Sequence, residues 1–199
     1  KQDHTAPTTS ITMSGTMKES GWYSTAVKVK ITAEDNVGMG EIHYILDGTE
    51  YVVEGDTAEF TISGNGFHTL EYWGVDALGN EGEHKTVPTL KIDAGEGPTV
   101  EITAPQPGLY LFGKKLLSLS KVFIIGAFNV EATAEDADSG IYKVAFYLDD
   151  ELIGEDTEAP FGQYVATRHM GEGTIKVVAE DFAQNVAEDT LDITYYKFL

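Results

Sequence analysis

Two stretches of this chain are versions of each other, and the duplication constrains the fold more than any single motif. Residues 38–48 (GMGEIHYILDG) correspond to residues 140–150 (GIYKVAFYLDD), and Ala33-Glu34-Asp35 ahead of the first is mirrored by Ala134-Glu135-Asp136 ahead of the second. Farther on, residues 66–80 match residues 171–185, which sets Asp76 over Asp181 and Asn80 over Asn185. The offsets are 102 and 105 residues, the size of one small two-layer unit, so the 199-residue chain is expected to hold two of them. Between the copies, residues 94–98 (AGEGP) have the Gly/Pro composition of a short hinge. The expected domains are therefore 1–94 and 95–199.

Within each copy the apolar residues recur at every second position, which is the period of a half-buried strand. Val27, Val29, Ile31 and Ala33 point one way while Lys28, Lys30 and Thr32 point the other, and Ile42, Tyr44 and Leu46 repeat the pattern. Strands are predicted near 9–13, 26–34, 41–46, 50–53, 58–62, 68–75 and 86–92 in the first copy. In the second they fall near 99–103, 127–135, 142–148, 151–154, 161–166, 173–180 and 188–196. Seven short strands per hundred residues, with a turn about every ten, is the count of an immunoglobulin-like sandwich. The predicted class is all-β: two tandem immunoglobulin-like β-sandwiches joined by a short hinge. With no cysteine to bridge the layers, each must hold by packing alone. One segment departs from the pattern. Residues 105–120 are rich in Leu and aromatics yet broken by Gly and Pro, and are expected to lie as a long connection over the sandwich edge.

Charge narrows the function classes. Against 33 Asp and Glu stand 13 Lys and Arg, a formal net charge of −20, which repels phosphate backbones and anionic headgroups. Nucleic acid is thus an unpromising partner, and membrane insertion is not expected, because the longest apolar run, residues 122–128, is far shorter than a bilayer needs. Zero cysteine removes thiolate catalysis and Cys-based metal sites. The five histidines form no metal-ligand spacing, and no phosphate-binding or nucleophile-elbow glycine motif occurs. An enzyme is not expected.

Residues 7–15 (PTTSITMSG), 21–25 (GWYST), 33–35, 44–48 (YILDG) and 75–80 (VDALGN) resemble the Ig-like repeat of bacterial and archaeal surface proteins that is often labelled an outer-membrane β-barrel repeat. Residues 98–102 (PTVEI), 144–149 (VAFYLD), 156–161 (DTEAPF) and 175–181 (IKVVAED) resemble the Ig-like module near the C-terminus of secreted surface proteins. The resemblance implies an extracellular stalk, adhesion or accessory module within a longer polypeptide; the expected partners are other domains of the parent chain and a surface protein or polysaccharide. The alternatives are an accessory module holding a secreted hydrolase on polysaccharide, or an assembly subunit whose arm at residues 1–9 or terminal strand adds to a neighbour's open sheet edge. It implies no catalytic residues. Residues 194–199 are expected to be a last strand at the parent's C-terminus.

Two groups of residues are candidates for binding. Asp35 and Asp136 end the second strand of each copy, and Asp76 and Asp181 end the sixth, so an Ig-like topology gathers them at one pole. With Asn80, Asp138 and Asn185 in the adjoining loops they offer the hard oxygen ligands that Ca²⁺ takes, Asp136, Asp138, Asp181 and Asn185 making the fuller set. No cofactor is required by the reading, and Ca²⁺ is the candidate one. The competing expectation is that these side chains close their own turns. The second group follows from alternation: if Leu70 and Tyr72 face the core, Trp73 and Val75 face outward, with His43 and Ile45 beside them on the paired strand. Such a patch suits a sugar ring or another protein. The alternative is that neighbouring chain covers it.

Overall fold

The computed structural model describes residues 4–198, and the chain divides into two compact units, Lys1–Gly95 and Glu96–Leu199. Each is all-β and holds its own core.

In the first unit, β1 (Thr8–Ser14), β3 (Val27–Glu34) and β6 (Thr57–Ile62) form one sheet, with β3 in the centre. The other sheet runs β2 (Trp22–Tyr23), β8 (Lys85–Ile92), β7 (Gly66–Asp76), β4 (Met39–Leu46), β5 (Thr49–Glu54). Alternation decides which face goes inward. On β3 the residues Val27, Val29, Ile31 and Ala33 are buried while Lys28 and Lys30 stand in solvent. Facing them across the layer are Ile42 and Tyr44 of β4 with Leu70 and Tyr72 of β7. Burying a side chain of this size contributes ~1.5–3 kcal/mol each, which holds the two layers without a disulfide. The β4–β5 hairpin closes through Asp47-Gly48, with φ of 50° and 80°, the left-handed pair that a two-residue loop demands.

The second unit repeats this plan. Its three-stranded sheet is β16 (Phe161–Val165), β13 (Phe128–Glu135), β9 (Thr99–Ala104), and its hairpin between β14 (Ile141–Leu148) and β15 (Glu151–Asp156) turns on Asp149-Asp150 at φ 51° and 64°. Here the aspartates take over the left-handed role that Gly48 shares in the first unit. The second sheet is longer: β11 (Lys114–Leu117), β10 (Gly108–Leu111), β12 (Val122–Ile125), β18 (Val186–Lys197), β17 (His169–Asp181), β14, β15.

All fourteen expected strands are present at or near their predicted bounds. The segment after β9 corrects the reading made from sequence. Instead of lying across the edge as irregular chain, it builds three strands that lengthen the sheet. β12 pairs in parallel with the last strand, β18, and β10 pairs in parallel with β12. Val122 and Ile124 reach the core, so the addition is part of the hydrophobic interior as well as of the hydrogen-bond ladder. Strand β18 consequently has neighbours on both sides and is not a free terminal strand.

Candidate functional site

The polar poles of the two units are built alike. In the first, β7 ends at Asp76, whose carboxylate is buried and turned back on its own loop. Its Oδ1 accepts the backbone N–H groups of Leu78 and Asn80, each at 2.8 Å, and its Oδ2 accepts the Asn80 amide at 2.7 Å. Burial alone would push this carboxyl upward, but the Asn80 and backbone donors outweigh it and hold the group below its ordinary value. In the second unit, buried Asp181 receives the backbone N–H and the side-chain amide of Asn185, both at 2.9 Å. These two Asp–Asn pairs are thus loop closures. Asp35 accepts the Val37 N–H at 2.9 Å, the first turn after β3.

Asp136 differs. Its Oδ1 gathers the N–H groups of Ser139 at 2.8 Å and Gly140 at 2.7 Å, with Asp138 N–H farther away at 3.2 Å, so the carboxylate organises the loop before β14. A carboxylate oxygen of Asp136 lies within 4.8 Å of one from Asp181. Asp138 is exposed, and its backbone N–H joins this loop network.

The outer face of the first unit corrects a second expectation. Trp73 sits on the outward side of β7 beside half-buried Val75 and His43, as alternation requires, yet it is only 6% exposed. His43 stacks on one face at 5.0 Å between ring centroids, and His84, from the loop before β8, stacks at 3.9 Å. The face that a sugar would use is covered by imidazole. Each histidine is in turn gripped by two carboxylates: His43 by Glu41 at 3.0 Å and Glu50 at 3.1 Å, His84 by Glu71 at 2.7 Å and Glu81 at 2.8 Å. Burial opposes the charge on His43, but the Glu50 and Glu41 hydrogen bonds prevail, and His84 is raised by Glu81 and Glu71. Protonated, the two rings place cationic edges around an indole flanked by four glutamates. Ile45 lies half-buried on β4.

Sequence reading missed His84 because it precedes its strand, and no periodicity applies there. It also missed a clamp common to both hairpins. Asp47 accepts the Thr69 N–H at 2.8 Å and binds His68 at 2.7 Å, while Asp149 accepts the Thr174 N–H at 2.8 Å and binds His169 at 2.8 Å. His68 directly precedes Thr69 whereas His169 precedes Thr174 by five residues, so aligning the copies hides the likeness.

Comparison with known proteins supports the Ig-like reading of the second unit. Residues 98–179 match the family model described as bacterial Ig domain. That span begins just before β9 and ends within β17, so it includes the added strands. Among solved structures, the chain is similar to fibronectin(III)-like modules of Clostridium thermocellum CbhA, at 20% identity over 94% of this chain and 95% of that one, with a TM-score of 0.47. It is also similar to a 1.5-MDa bacterial ice-binding adhesin (10% identity, 98% and 67% covered, TM-score 0.39) and to the Yersinia pseudotuberculosis adhesin InvE (14%, 94% and 58%, TM-score 0.35). No curated protein sequence matches the chain.

Proposed function

We propose that the chain is a non-catalytic, extracellular Ig-like tandem that spaces or displays other parts of a secreted or cell-surface protein, or carries their adhesive contacts. The observation behind this reading is that each unit closes a core of its own, while the conspicuous carboxylates bind their own loops. The bacterial Ig domain match in residues 98–179 adds to it. Such a module acts mechanically: each sandwich resists unfolding separately, and the acidic coat keeps the chain dispersed. Pulling on a polyprotein containing this chain tests the idea. Two separate unfolding steps per copy are expected, each releasing about 30 nm, the reach of roughly a hundred extended residues. A single step for all 199 residues would defeat the proposal.

The finer family labels, a surface-protein repeat followed by a C-terminal module, belong to the same proposal. A polysaccharide-holding role loses its stacking platform with Trp73 covered, and what remains of that patch is half-buried Ile45 and Val75. Retention on insoluble glycans, compared between the protein and Trp73→Ala, decides that role. Calcium, if bound, is best held at the Asp136–Asp181 approach, where two carboxylates come within 4.8 Å.

A further inference from the structure

We propose that the β11 edge of the second unit docks the β15 edge of a second copy of this chain, adding copy to copy, head to tail, in one continuing sheet. These strands are the two ends of the seven-stranded sheet: β11 pairs only with β10, and β15 only with β14, among the described residues. An edge strand leaves a row of unpaired backbone donors and acceptors, and proteins ordinarily protect it. At β11 the protection is its four-residue length and Lys114 and Lys115, which leave apolar side chains uncovered. Every residue from 111 to 120 is exposed, with Phe112 at 76% and Leu116 at 52%.

Charge selects the occupant. Residues 102–130 contain no acid at all in a chain that carries 33, and Lys114, Lys115 and Lys121 lie among them. The opposite edge reads DDELIGED over residues 149–156, with no base, and Leu152 on it is 52% exposed. Two β11 edges brought together would crowd four lysines into one short ribbon, and two β15 edges would crowd their acids. Only the unlike pair sets Lys114 and Lys115 beside Glu151 and its neighbours while covering Leu116 and Leu152. Direction agrees as well. Following the ladder from β11 through β10, β12, β18, β17 and β14, β15 runs the same way as β11, so near-translated copies pair these strands in parallel. A contact of this kind uses two different patches and therefore propagates instead of closing into a pair. It goes beyond the spacer reading and does not depend on it.

A four-residue edge makes a small contact, so association should be read by sedimentation of the full chain at roughly hundreds of micromolar. The protein is expected to show mass rising past the dimer with concentration, weakening as salt is added. Lys114→Glu/Lys115→Glu blocks one edge and Glu151→Lys/Glu155→Lys the other. Each variant alone should be monomeric, whereas an equimolar mixture, in which the wild-type edges and the charge-reversed edges both find complements, should grow, and so should a chain carrying all four changes. Circular dichroism confirms that each variant is folded. A protein that stays monomeric at these concentrations overturns the proposal, as does a β15 variant that still self-associates, which means like-edge pairing through β11. Binding of the protein to anionic vesicles without self-association, lost in the lysine variant, also overturns it, because the edge then serves a lipid surface.

Discussion

The two units solve one problem, the outer edge of the last strand, in different ways. In the first, β8 is met by only two residues of β2, Trp22 opposite Lys91 and Tyr23 opposite Ile92. In the second, β18 is paired along Val122–Ile125 by β12, and β10 and β11 follow beyond it. A short cap leaves the sheet at five strands, whereas the longer addition carries it to seven and moves the open edge to a basic, apolar strand. Which edge a sandwich presents is therefore set by the segment between its first and second long strands, since the shared core strands are alike.

The comparison breaks first at Ile124. If β10–β12 were an accessory laid over a finished sandwich, Ile124→Ala would be nearly silent. Because Ile124 is wholly buried in the core, the substitution is expected to cost ~2–5 kcal/mol and to shift only the second unit's unfolding transition in a denaturant titration. Transitions moving together would show that the units do not unfold separately.

The Asp–Asn loop closures probe what the units share. Asp76→Ala and Asp181→Ala each leave half-buried loop donors without a carboxylate, at an expected cost of ~1 kcal/mol in the unit that carries the change. Asp76 adds a pH signature. Its folded value is depressed below the ordinary carboxylate range by Asn80 and the loop N–H groups in spite of burial, so its contribution is complete above about pH 4 and disappears as acid takes the solution through the folded value. Acid titration of Asp76→Asn against the parent protein, followed by thermal melting, should remove that part of the pH dependence.

How far these features could be read beforehand depends on whether they are periodic. Strands β3, β4 and β13 announce themselves by strict alternation, and both loop closures by Asp and Asn four residues apart. Strands β10 and β11 do not. The sequence GLYLFGKKLL has no two-residue period, and it joins the sheet through β12, which itself lies parallel to β18 some seventy residues later, so only the tertiary fold identifies it. Trp73 was placed on the correct face of the sheet from alternation, but alternation carries no information on what lies above that face. His84 arrives from a loop, and the stack on the indole is a contact between residues eleven apart with no shared register.

That stack supplies a smaller effect, confined to the first unit, whose positions aligned with His43 and Trp73 are Ala145 and Val178 in the second. His43 and His84 both hold their protons more tightly than a free imidazole. For His43 the Glu50 and Glu41 contacts overcome burial, and for His84 the Glu81 and Glu71 contacts dominate. Folded values raised above the unfolded value of about 6.5 make the contribution complete below that pH and lost as pH climbs through the folded values. An imidazolium quenches a stacked indole, so Trp73 emission is expected to brighten over that rise, with Trp22 as an unresponsive background isolated by Trp73→Phe. His84→Gln should abolish most of the change, since its ring lies nearer the indole, at 3.9 Å against 5.0 Å for His43. Emission that brightens equally in His84→Gln would transfer the effect to His43.

The smallest expected effect returns to the second unit, at the approach of Asp136 to Asp181. The mirrored acids of the first unit, Asp35 and Asp76, bind their own turns, and neither belongs to the group of acids whose oxygens converge within 4.8 Å. A divalent cation that favours the native state raises stability by an amount set by its concentration relative to its dissociation constant, so millimolar Ca²⁺ acting on a weak site is worth about 1 kcal/mol or less. The rise in melting temperature should be reversed by chelator and vanish in Asp136→Asn, whose amide retains an oxygen acceptor for the loop N–H groups while giving up the charge. A melt unmoved by Ca²⁺ and chelator would leave the Asp136 carboxylate with the loop before β14 as its whole task, and would make the two poles equivalent in function as they already are in their Asp–Asn closures.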